Sequence, residues 1–70
     1  MLKREVAIQV IETSRKSIAV LDSLVAEIRD DCEAEDFERI RRGVGLSIVK
    51  ILDELLEPVY SQYPELDPDK

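Results

Sequence analysis

The feature that most restricts this chain is a run of apolar or small residues at Ala7, Ile11, Ser14, Ile18, Leu21, Val25 and Ile28. The steps alternate four and three, which keeps one side of an α-helix turned toward a neighbour and which the two-residue period of a strand does not produce. Val10, Ser17 and Leu24 widen this seam on one side, and Val6, Thr13 and Val20 on the other. Glu5, Gln9, Glu12, Lys16, Ser23, Glu27 and Asp30 form the wet face. The pattern predicts one amphipathic helix over residues 3–30.

A second periodic run follows at Phe37, Ile40, Val44, Ile48, Ile51, Leu55 and Val59. Beside it lies a parallel stripe of Gly45, Val49, Leu52, Leu56 and Tyr60 or Tyr63. Two adjacent stripes make an apolar face wider than one helical neighbour covers. In a two-helix chain, the additional neighbour has to come from another molecule. Extending the first seam beyond Ile28 meets Glu35, Arg39 and Arg42, so its phase is lost within DDCEAED. A turn is therefore predicted around 30–35 and a second helix over about 35–57, with Asp30 or Asp36 as cap and the acidic cluster suited to a helix N-terminus. Pro58 removes a backbone donor and crowds the preceding turn, so the helix is predicted to end or kink at Glu57. VYSQY reads as a short further turn. The organisation expected is one helical-hairpin domain over 1–63 and an extended acidic tail over 64–70.

Seventy residues bury a small core at best, and chains of this size usually need a disulfide, a metal or a partner chain. Cys32 is the only cysteine and there is no histidine, so neither an internal disulfide nor a tetrahedral zinc site is available. That leaves association. The expected architecture is all-α: an antiparallel helical hairpin that dimerises into a four-helix bundle. Its packing positions are Ile11, Ile18, Leu21 and Val25 on helix one and Ile40, Gly43, Val44, Ser47, Ile48, Ile51 and Leu55 on helix two.

The glycines of RRGVGLSIVK stand inside the second periodic run. The stretch GVGLSIVK resembles the second glycine box of sensor histidine kinases over about eight residues. That resemblance implies that Gly43 and Gly45 contact a nucleotide at the start of a helix. The second Gly-Leu repeat of the box is missing here, as are any asparagine and the Asp-x-Gly-x-Gly stretch of that family. The spacing also meets neither the P-loop nor the dinucleotide pattern. A mid-helix glycine costs about 1 kcal/mol against alanine, and the residues themselves favour a packing reason: a close helix crossing with Gly45 opposite Leu21, or else a local kink.

The remaining chemistry is sparse. Without histidine the usual general base is absent, so no enzyme, cofactor, metal or small-molecule substrate is expected. Asp30, Asp31, Glu33, Glu35 and Asp36 lack the glycine and spacing of a calcium loop and read as a solvated turn. Arg39, Arg41 and Arg42 form the one dense basic patch. The net charge of −6 and the absence of adjacent aromatics weigh against nucleic acid as the principal partner. Tyr60 and Tyr63 are expected either to fold back over the open end of the hairpin, near Leu2 and Val6, or to present a short linear motif. No segment is apolar enough to cross a membrane, and a lone thiol suits a reducing cytoplasm. The function expected is a homodimeric protein–protein interaction module, a regulator or adaptor. The alternatives are a dimeric nucleic-acid-associated regulator acting through the arginines, or a subunit that pairs its apolar face with a different protein.

Overall fold

The computed structural model describes residues 1–69, and among these every regular element is helical. Helix α1 spans Arg4–Ile28 and helix α2 spans Ala34–Ile51. A π-helical turn, Leu52–Leu56, joins α2 to α3, Glu57–Gln62, and a single 3₁₀ turn follows at Pro64–Leu66. The chain is thus a helical hairpin, 45 Å long and 16–19 Å across.

The alternating seam of α1 is the side that meets α2. Ala7 and Ser14 are buried, and Ile11, Ile18, Leu21, Val25 and Ile28 are half-buried. The helix stops where its phase is lost. Cys32 donates its thiol to the carbonyl of Ile28 at 3.2 Å, and the Asp31 amide donates to the same oxygen at 3.0 Å. Both satisfy an acceptor that has no partner within the helix. The guanidinium of Arg29 sits 5.7 Å from the centre of the Phe37 ring, a cation–π contact that clips the turn. Helix α2 takes Glu33 as its cap, with extended backbone and no side-chain capping bond. Neither Asp30 nor Asp36 serves as the cap expected of it. Glu35 and Asp36 instead lie in the first turn of α2, where negative charge complements the helix dipole.

Pro58 neither ends nor sharply interrupts the second helical run. The amide of Glu57 donates to the carbonyl of Leu52, five residues back instead of four. Pro58 cannot donate toward Glu54, and in a regular α-helix its ring would crowd that residue's carbonyl. The wider turn relieves this crowding and allows helix to continue to Gln62, a π-bulge with an identifiable cause.

The extra residue in that turn also rotates the face that points at α1. Val44 is buried, Ile48 and Ile51 are half-buried, and then Leu56 and Val59 are buried, each 3% exposed. The steps along α2 and α3 are therefore four, three, five and three. Leu55, expected to continue the seam, is 46% exposed, and Ile40 is 41% exposed. At the wide turn Leu56 of the second stripe takes the place of Leu55 of the first, and Val59 of the first stripe is buried beyond it.

The ends of the hairpin are locked together, which establishes its antiparallel sense. The amide of Leu2 donates to Oε1 of Gln62 at 2.8 Å, and the hydroxyl of Tyr63 donates to the carbonyl of Leu2 at 2.7 Å. Arg4 and Glu65 form an exposed ion pair at 2.9 Å. The segment after Tyr63 begins with the 3₁₀ turn and not with extended chain, folded back over the open end.

The glycines correct the crossing expected of them. A Cβ built on Gly43 or Gly45 would meet nothing within 4 Å, so neither lies where the two helices of one chain touch. Both have ordinary negative φ in the interior of α2, so no kink or helix start falls there and the nucleotide contact implied by the kinase resemblance has no helix N-terminus behind it. Gly45→Ala is accordingly expected to raise stability by about 1 kcal/mol through helix propensity. A urea midpoint that moves down instead would place a close neighbour at Gly45.

Candidate interaction surface

The six residues that flank the α1 seam form one row, not two opposite flanks. Val6, Val10, Thr13, Ser17, Val20 and Leu24 recur in alternating steps of four and three, and at the turn angle of an α-helix they fall within an arc of about 80°. No charged side chain lies in that row. Val20 is 67% exposed, Val6 38% and Leu24 37%. Across the hairpin, the same side carries Ile40, Gly43 and Ser47 of α2 and Leu55 of the π-helical turn, together with the charged Asp36, Lys50 and Glu54. An open depression lined by Gln9, Val10, Thr13, Ser14 and Leu55 spans the two helices there, and a second runs along α1 beside Thr13, Lys16, Ser17, Val20 and Leu21.

Both serine hydroxyls on this side are already occupied. Ser17 donates to the carbonyl of Thr13 at 2.9 Å, and Ser47 donates to the carbonyl of Gly43 at 2.8 Å. Such bonds, made one turn back along the helix, leave the outward part of each serine as methylene. Covering these residues therefore avoids most of the penalty of burying a bare polar group.

The other side of the hairpin differs. There a depression is lined by Arg15, Ile18, Leu52 and Leu56, and Asp22, Glu38 and Arg41 fall on the same flank. Arg41 grips Glu38 through two bonds, Nε to Oε1 at 3.1 Å and Nη2 to Oε2 at 2.8 Å. The guanidinium holds the Glu38 carboxyl below the usual carboxylate range, and Arg41 is raised in return. Both side chains are well exposed, so the pair contributes little to stability. Arg39 and Arg42 are exposed and have no ion-pair partner among the described residues. The three arginines are thus not one equivalent patch. Behind them, on the outer side of α2, stand Leu46 and Val49, 64% and 52% exposed.

The remaining positions singled out from the sequence divide cleanly. Ile11, Ile18, Leu21, Val25, Val44, Ile48 and Ile51 line the contact between the two helices of one chain, half-buried or buried. Ile40, Gly43, Ser47 and Leu55 are turned away from it and exposed. Tyr63 is committed to closing the hairpin, and the Tyr60 hydroxyl is buried without a hydrogen-bond partner, so neither tyrosine stands free as a linear motif. Missed by sequence reasoning was the Val6–Leu24 row as a unit, although its four–three spacing was there to be found. Among the described residues no helix is long and apolar enough to cross a membrane, and no group of three or more acidic or thiol side chains converges as metal donors.

The fold defines a class, the all-α helical hairpin, and the surface just described is its most distinctive site. No family model, curated protein or solved structure matches the chain.

Proposed function

We propose that this chain is a non-enzymatic protein–protein interaction module that works as a homodimer, two hairpins forming a four-helix bundle, in the role of a small cytoplasmic regulator or adaptor. One observation carries the reading. The single chain has no large side chain fully buried, while Val6, Ile8, Val20, Leu24, Ile40, Leu46, Val49, Leu52 and Leu55 are all exposed. A two-helix unit in that condition has little core of its own, and the members that share one side, Val6, Val20, Leu24, Ile40 and Leu55, make the kind of apolar patch that marks an interaction site.

The expected result is a particle of twice the 8.0 kDa chain mass by light scattering behind a sizing column, at all concentrations well above the dissociation constant. A monomer at every concentration would remove the homodimer.

A second reading, pairing with a different and acidic protein, draws support from Leu46 and Val49 beside the unpaired Arg39 and Arg42. Nucleic acid is the weaker occupant for the same arginines. Two unpaired guanidinium groups on a chain of net charge −6 neutralise few phosphates, and the acidic flanks repel the rest.

A further inference from the structure

We infer that the side of the hairpin bearing the Val6–Leu24 row, with Ile40, Gly43 and Ser47 of α2 and Leu55 of the π-helical turn, is the surface on which a second copy of this chain docks. The inference rests on the homodimer proposed above and adds which face is used and why the glycine is there.

Area identifies the kind of occupant. A compact monomer of 8.0 kDa exposes about 4,450 Å² by the usual scaling, whereas this chain exposes 5385 Å². The excess is roughly 900 Å², close to the ~800 Å² that each partner contributes to a stable interface of standard size. One further hairpin on one face accounts for it.

Charge and polarity select the face. On α1 the row from Val6 to Leu24 contains no ionisable group, and Ser17 and Ser47 have their hydroxyls bonded within their own helices. Across the hairpin the same side also carries Asp36, Lys50 and Glu54, the last two paired at 3.7 Å, so α1 makes the choice: its opposite flank would bury Arg15 and Asp22, at the steep cost of desolvating charge. The outer side of α2 offers Leu46 and Val49 between charged residues, a narrower strip on one helix only. A two-fold pairing places the same patch on both copies, and the charge-free row of α1 meets its own copy with no like-charge repulsion.

Gly43 then has a reason. It lies near the middle of this face, with open space above its Cα and with Ser47 one turn on. A second helix can approach its backbone there more closely than over any residue with a side chain. Gly45, on the other side of α2, has no such role.

The test compares charge insertions at positions that are already exposed in the single chain. Val20→Glu is expected to raise the dimer dissociation constant by about a hundredfold or more, while Leu46→Glu leaves it unchanged. Thiol labelling guards against a variant that merely fails to fold. In a Cys32→Ser background, Ser17→Cys is expected to react with an aromatic disulfide reagent about tenfold more slowly in the dimer than on dilution to monomer, which one factor of ten in protection measures. Ser23→Cys, on the wet face, is expected to react equally fast at both concentrations. A dimer that tolerates Val20→Glu and leaves Ser17→Cys unprotected overturns this face while the homodimer stands. A wild-type chain that never dimerises overturns both.

Discussion

Replacing Leu56 by alanine is expected to destabilise the fold by about 2–5 kcal/mol, the range for truncating a buried leucine. The same change at Leu55 is expected to cost the hairpin itself less than about 1 kcal/mol, because the side chain is largely outside the contact between helices. Leu56 is 3% exposed and Leu55 46% exposed, a contrast produced by the π-helical turn at Leu52–Leu56. Small domains have only a few kcal/mol in reserve, so Leu56→Ala should come close to unfolding the protein. Urea denaturation on chain diluted to the monomer measures both variants, since Leu55 also lies on the proposed docking face and association would add to its effect. The order is the decisive quantity. If Leu55→Ala proved the more damaging, the seam would run straight on from Ile51 and the wide turn would be absent.

Ending the chain at Glu57 should have the next largest effect. The truncation removes Val59, 3% exposed, together with the Tyr63 hydroxyl and the Gln62 side chain that hold Leu2. Burial of one valine contributes about 1.5 kcal/mol or more, and the hydrogen bonds add about 0.5–1.5 kcal/mol each. A loss of about 3 kcal/mol corresponds to roughly 15 °C in Tm for a domain of this size. Thermal melting followed by circular dichroism at matched concentration reads it directly. The exposed Arg4–Glu65 pair adds little, so a chain ending at Tyr63 should melt within a few degrees of the full chain. A truncated chain ending at Glu57 that melts normally would mean that the segment does not close the hairpin in solution.

Much of this architecture is legible in the residues. The four–three spacing from Ala7 to Ile28 specifies α1 and the side of it that is covered, because helix geometry maps sequence spacing onto angle with little freedom. The loss of phase in DDCEAED marks the turn to within two residues. The return of the chain at Tyr63 was one of two readings open to the tail, and the structure selects it with a hydrogen bond.

The departures come from particular residues. Pro58 is locally a helix breaker, yet a single bond from Glu57 to Leu52 absorbs it, and the resulting rotation replaces Leu55 by Leu56 in the contact. Spacing rules assume a constant angle per residue, so one inserted residue moves the contact from Leu55 to Leu56 at that turn. The glycines show a second kind of departure. Composition identifies two costly residues but not which neighbour they admit, and the contact between α1 and α2 passes them by. The arginines show a third: Arg41 is taken by Glu38 three residues earlier on the same helix, while Arg39 and Arg42 form no ion pair although Asp36 and Glu38 stand one turn before them.

By itself, then, the sequence determined the number of long helices, the place of the turn and the amphipathic character of each helix, because these follow from local spacing and from propensity. Only the tertiary structure decided which of two apolar stripes is covered at each level, where the chain end is tied, and which apolar row of α1 is left open. Those outcomes depend on the competition of several faces for one neighbour, and on a proline whose effect is felt a full turn away.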